Sequence, residues 1–201
     1  MKTLIAIDPG VTGGIAVLST GTVLRADAEA YKMPETCKDL HELLLNACYG
    51  GAMSGEPFVV SRMNTRVYVE EVSGFIGKRQ PGSRMFNFGR GYGQIEGILT
   101  AMRVPYVMVR PQAWQRALNI PKTSREKVPG TVDDLERLSI ESGNTQAERE
   151  HKHVMRELAQ RLYPTLKVTL GNCDALLLLE YARQKEGMLA PEKPELEKAL
   201  L

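Results

Sequence analysis

The alternation of apolar and polar positions divides the chain into short strands and longer helices. TLIAIDPG is apolar up to Asp8, where Pro9 and Gly10 break the run, and GGIAVLS resumes after the turn, which predicts a β-hairpin. TGTVLRADA, residues 20–28, reads as a third strand. Over residues 36–47, Leu40, Leu43, Leu44 and Ala47 recur at helical spacing, and Gly50 and Gly51 supply the stop. RVYVEEV, residues 66–72, alternates and is rich in Val and Tyr, so a strand is expected with its acids near the carboxyl end. The segment SGFIGKRQPGSRMFNFGRGYG reads as a glycine-rich loop leading into a helix over about residues 94–102, with Ile95, Ile98, Leu99 and Met102 on one face. VPYVMV reads as another buried strand. PQAWQRALN reads as a short helix opened by Pro111, since a proline in the first turn forfeits no hydrogen bond.

Residues 123–150 break this regularity. They are polar, charged and weakly periodic, and read as a surface insertion with partial helix or disorder. Two helices follow: residues 151–163, ended by Pro164, and Cys173–Lys185, where Ala175, Leu176, Leu178, Leu179 and Ala182 form a broad apolar face. Beyond Gly187 the chain becomes rich in Pro and Glu. With 201 residues, one hydrophobic core and one active site are expected: a single domain over 1–190, interrupted at about 123–150, and a tail over 191–201.

Composition narrows the functional classes. Hydrophobic residues make up 43% and charged residues 25%, as in soluble globular proteins, and no apolar run is long enough to span a bilayer. The opening MKTLIAIDPG lacks the apolar stretch and cleavage site of a secretory signal, so a cytoplasmic protein is expected. Cys37, Cys48 and Cys173 are widely spaced and form no CxxC pair; they read as reduced thiols. His151 and His153 sit two apart and point to different faces of a helix, which argues against a shared metal. The net charge of +2 is unevenly spread: residues 62–127 hold 12 basic and 4 acidic side chains, whereas the segments on either side are each acidic by three. Such a basic stretch suits phosphate contacts, or else a solvated face.

Three acids stand inside apolar elements, where an unpaired charge is costly to bury. Asp8 follows LIAI, Glu70 follows VYV, and Asp174 precedes ALLLLEYA. Any one of them could be a capping or exposed residue, and Asp174 in particular could cap the last helix. Together they suggest carboxylates gathered at one site, where a cation offsets their repulsion. An all-oxygen set without Cys or His favours Mg²⁺ or Mn²⁺.

IDPGVTGGIAV, VYVEEVSGF and CDALLLLEYA, in this order, resemble the motifs of the RuvC family of Holliday junction resolvases. FNFGRGYGQIEGIL, VPYVMVRPQAWQRAL and HKHVMRELAQRLYP extend the resemblance over most of the chain. The resemblance implies an α/β, ribonuclease-H-like fold with a mixed central β-sheet flanked by α-helices. It implies a homodimer that resolves four-way DNA junctions by paired nicks, through attack of metal-activated water on phosphodiesters. It gives Asp8, Glu70 and Asp174 the metal, Mg²⁺ or Mn²⁺, and places Lys152 at the scissile phosphate; for Lys152 a solvated helix-start lysine is the competing reading.

One departure from the family pattern concerns a fourth acid expected shortly before the Asp of the last helix. The sequence there is VTLGNCD, in which Thr169, Gly171 and Asn172 are neutral, so two-metal catalysis is in question. Asn172 could offer an amide oxygen or cap the final helix. Glu71 points to the opposite strand face from Glu70, and Glu180 lies almost two turns beyond Asp174, so neither is an obvious substitute. DNA contacts are expected from the loop after Glu70, where Lys78, Arg79, Arg84 and Arg90 are the phosphate contacts, and the resemblance makes Phe75 the candidate wedge. Phe86 and Phe88 read instead as core or dimer contacts. Three alternatives stay open: a junction-binding protein with little or no cleavage, a nuclease for RNA:DNA hybrid, and a phosphotransferase using DxGxTGG as a phosphate turn. The last lacks room for the second domain and phosphate loop it needs.

Overall fold

The computed structural model describes residues 3–19, 24–49, 64–72, 82–121 and 146–188. Five strands form one sheet in the order β3-β2-β1-β4-β5: β1 (Thr3–Asp8), β2 (Gly14–Leu18), β3 (Ala28–Lys32), β4 (Thr65–Glu70) and β5 (Tyr106–Val109). β2 runs antiparallel to both β1 and β3, whereas β1, β4 and β5 are parallel. This is the mixed sheet of the ribonuclease-H-like arrangement, and the expected hairpin joins β1 to β2 through Pro9–Gly13, with Gly13 N–H donating to the Gly10 carbonyl at 2.8 Å.

Both faces of the sheet are covered, which is why its central strands read as unbroken apolar runs. Leu4, Ala6, Ala16, Leu18 and Tyr68 face α3 (Pro111–Ala117), α4 (Gln146–Leu162) and α5 (Cys173–Lys185). Ile5, Ile7, Ile15, Val17, Val67 and Val69 face α1 (Cys37–Tyr49) and α2 (Gly82–Ala101). α5 is the central helix of its layer: Ala175 through Leu179 are fully buried, so its apolar surface runs well around the axis.

Several boundaries differ from the sequence reading. The third strand is Ala28–Lys32, because Arg25–Asp27 form a 3₁₀ turn and pairing with β2 begins only at Ala28. β5 lies at the sheet edge with Val107 exposed, so it is only partly buried. The glycine-rich segment is helical from Gly82 onward, since Ile95, Ile98 and Leu99 anchor α2 in the core and the helix extends back from that anchor despite its glycines. Phe86 on this helix is 70% exposed and therefore no core residue, and Phe88 is half-buried. α4 starts at Gln146, within the expected insertion; residues 123–145 of that insertion and the tail over 191–201 lie outside the described residues.

Candidate metal centre

Period-two alternation determines where the acids point. In β1, Asp8 shares a face with Leu4 and Ala6; in β4, Glu70 shares the same face with Tyr68. Ile7 pairs with Val69 in the parallel ladder, so Asp8 and Glu70 are neighbours at the carboxyl ends of adjacent strands. α5 crosses that face and carries Asp174 in its first turn, where the helix dipole favours a carboxylate. One carboxylate oxygen from each of Asp8, Glu70 and Asp174 lies within 4.8 Å of the other two. Among the described residues, these three are the only group of acids, His and Cys so arranged.

The electrostatics are those of a buried anion cluster. Burial, then repulsion by Asp8 and Asp174, pushes Glu70 up to about 8, with Lys152 offsetting part of this. Asp8 is raised to about 6, again by burial first and Asp174 second, against the opposing effects of Lys152 and the Gly10 N–H. That N–H donates to Asp8 Oδ1 at 3.4 Å. Three oxygen donors from separate elements form a group able to hold a divalent metal, which would offset the cost of ionising all three.

Lys152 reaches into this cluster from α4, nearly two turns from the helix start, and its ammonium donates to Asp174 Oδ2 at 2.5 Å. Burial alone would lower its pKa, but the Asp174 carboxylate outweighs that and holds it above the ordinary value. The half-buried ion pair is more than a solvated surface lysine makes. Asp174 Oδ1 also accepts the Cys173 thiol at 3.2 Å, and burial pushes that thiol up to about 12.

The other candidates are engaged elsewhere. Asn172 neither caps α5 through its side chain nor turns its amide to the carboxylates. Its Oδ1 accepts Thr169 N–H at 2.7 Å and its Nδ2 donates to the Lys167 carbonyl at 3.3 Å, which folds the segment before α5 into a tight loop. Glu180 is buried between Arg25 and Arg183, accepting from each at 2.7 Å; burial alone would raise its pKa, but these partners hold it below the ordinary range. Glu71 pairs with Arg110 at 3.3 Å.

Three glycines allow this packing, and the sequence reading missed that role for them. A Cβ on Gly13 would lie 2.3 Å from the Asp8 carbonyl oxygen and 2.9 Å from its carboxyl carbon. One on Gly14 would meet the Tyr31 carbonyl oxygen at 2.7 Å, and one on Gly171 the Thr12 carbonyl oxygen at 2.9 Å. The β1–β2 turn and the loop before α5 thus touch backbone to backbone. The GG pair was a visible signal in the sequence; nothing local marks Gly171.

Of the expected DNA contacts, Arg84 and Arg90 are exposed on α2, while Phe75, Lys78 and Arg79 lie outside the described residues. Arg90 borders a groove of about 400 Å³ between α2 and the β1–β2 turn, alongside Pro9, Val11, Met33, Asn87 and Gln94. The groove begins at the residue following Asp8.

No protein-family model and no curated protein matches this chain. Among solved structures it is similar to T. thermophilus RuvC in complex with Holliday junction substrate, at 15% identity and a TM-score of 0.48, covering 92% of this chain and 97% of that one. It is similar also to a Thermus thermophilus RuvC structure, at 14% identity and a TM-score of 0.40 with the same coverage. The fold and the site stand on this chain's own strand order and side-chain geometry. No helix among the described residues is long and apolar enough to cross a membrane.

Proposed function

We propose that this chain is a metal-dependent endodeoxyribonuclease that resolves four-way junctions and related branched DNA. The observation that carries the nuclease reading is the convergence of Asp8, Glu70 and Asp174 at the carboxyl ends of two parallel strands, with Lys152 against them. The preference for branched DNA follows from the ordered motifs IDPGVTGGIAV, VYVEEVSGF and CDALLLLEYA.

A divalent ion held by the three carboxylates would stabilise charge on the attacking and leaving oxygens of a phosphodiester and ease loss of a proton from water. The Gly10 N–H fixes the Asp8 carboxylate at the sheet end. Lys152, released from Asp174 when substrate enters, would neutralise a non-bridging phosphate oxygen. Water adds to phosphorus, one P–O ester bond breaks, and the leaving alkoxide takes up a proton. Arg84 and Arg90 on α2 would contact phosphates beside the site, with Phe75, Lys78 and Arg79 adding contacts from the preceding segment. Paired nicks need two such sites, and we propose a homodimer formed through α2.

The test compares a labelled four-way junction, a matched linear duplex and an RNA:DNA hybrid, each with Mg²⁺, Mn²⁺ or chelator. Symmetric, metal-dependent cuts confined to the junction are expected. Asp8→Asn should reduce cutting at least a thousandfold while junction affinity stays within a few-fold. Normal nicking by Asp8→Asn would refute the site, and junction binding without cuts in any metal would make the chain a binding module.

A further inference from the structure

We infer that this centre takes a single divalent ion and that the Lys152 ammonium supplies the second positive charge that another ion would otherwise bring. The inference rests on the nuclease reading above and concerns how that site is loaded.

Charge balance comes first. Three carboxylates carry −3 when ionised, and the Lys152 ammonium, 2.5 Å from Asp174, brings the cluster to −2. One divalent ion neutralises that. Two ions would leave an excess of +2 among half-buried groups, which is costly at low dielectric.

Ligand supply leads to the same count. Two ions about 3.5–4 Å apart, as in two-metal phosphodiester chemistry, need donors on both outer sides of the pair. Among the described residues, the neighbouring side chains offer none. Asn172 is held at both ends of its amide by Thr169 and Lys167, and the Thr169 hydroxyl accepts Asn172 N–H at 3.3 Å. Glu180 is shared by Arg25 and Arg183, and Glu71 faces away toward Arg110. Gly171 has no space for a side chain, because its Cβ would press on the Thr12 backbone.

Lys152 meanwhile occupies Oδ2 of Asp174 from the α4 side, so the ion would draw on Asp174 Oδ1, which also accepts the Cys173 thiol, and on the oxygens of Asp8 and Glu70. Mg²⁺ and Mn²⁺ prefer six oxygens, so three protein ligands leave room for water and a phosphate oxygen.

The experiment is a calorimetric Mn²⁺ titration of the full chain at neutral pH, paired with electron paramagnetic resonance, on wild type, Lys152→Met and Lys152→Gln. Wild type should bind one Mn²⁺ with the spectrum of an isolated ion. Removing the ammonium should tighten that ion at least about tenfold in both variants, since a positive charge no longer competes for Asp174. Melting curves identify a variant that fails to fold, and the wild-type stoichiometry stands without either variant. Two ions per wild-type chain with an exchange-coupled spectrum would overturn the inference and leave the nuclease reading intact. So would folded Lys152 variants that bind Mn²⁺ no more tightly than wild type. Absence of any Mn²⁺ binding would overturn both readings together.

Discussion

Glu70 bears the largest electrostatic cost in the molecule's acidic centre, because it is buried and flanked by two further carboxylates. Its carboxyl is raised to about 8 and that of Asp8 to about 6, so without metal the folded protein binds protons at pH 5–7 that the unfolded chain has released. Where the native state holds more protons, stability falls as pH rises. The contribution of these two groups is therefore fully present below about pH 4 and is lost as pH climbs through 6 and then 8. Metal-free protein should melt several degrees lower at pH 8 than at pH 5.5, and saturating Mg²⁺ should reverse most of that loss by replacing the protons. Glu70→Gln should flatten the metal-free profile. A profile in chelator that rises between pH 5.5 and 8, or one unchanged by Glu70→Gln, would show that the two carboxyls are not coupled as the geometry indicates.

At the scale of elements, the β1–β2 turn and the loop before α5 hold the acids in register by touching through glycine. Gly13→Ala would place a methyl 2.3 Å from the Asp8 carbonyl oxygen, a backbone atom that cannot swing aside. The expected cost is about 1–3 kcal/mol, as for other overpacked sites, with Mn²⁺ affinity falling at least tenfold because Asp8 moves with its strand. Chemical denaturation and calorimetry measure the two effects, and unchanged affinity would detach the turn from the site. These elements also show what could be read in the sequence. β1 and α5 were legible because each is buried nearly all round, so its apolar run is dense and the single acid in it stands out. The face shared by Asp8 and Glu70 followed from period-two alternation once the strands were placed. The first half of α2 was not legible, since its glycines argue locally for a loop and the anchoring Ile95, Ile98 and Leu99 come later. Gly171 was illegible for a different reason: its role exists only where residue 12 meets residue 171 in space. Burial of Glu180 with Arg25 is equally non-local, spanning 155 positions in sequence.

That buried network joins the layers of the molecule, since Arg25 precedes β3 at one edge and Glu180, Arg183 and Tyr163 belong to the helical face. Glu180→Ala leaves Arg183 buried without its carboxylate, a loss of about 3–5 kcal/mol. For a chain of this length that lowers the melting temperature by roughly 10 °C. Mn²⁺ affinity should stay within about twofold, because Glu180 is no ligand; a large fall in affinity would place it in the metal centre. α2 makes a different demand on the whole molecule. Gly89, Gly93 and Gly97 follow one i, i+4 row, and a Cβ at any of them would meet nothing within 4 Å, so none is required by a contact among the described residues. Each costs about 1 kcal/mol of helix stability against alanine. A close helix-to-helix approach by a second copy, beside the exposed Phe86, would compensate for that cost and form the proposed dimer. Light scattering should find a wild-type dimer that Gly93→Leu converts to monomer without lowering its melting temperature when dilute. The monomer should still take up Mn²⁺ but lose paired junction cuts. A wild-type monomer, or a Gly93→Leu protein that remains dimeric, would remove α2 from the interface.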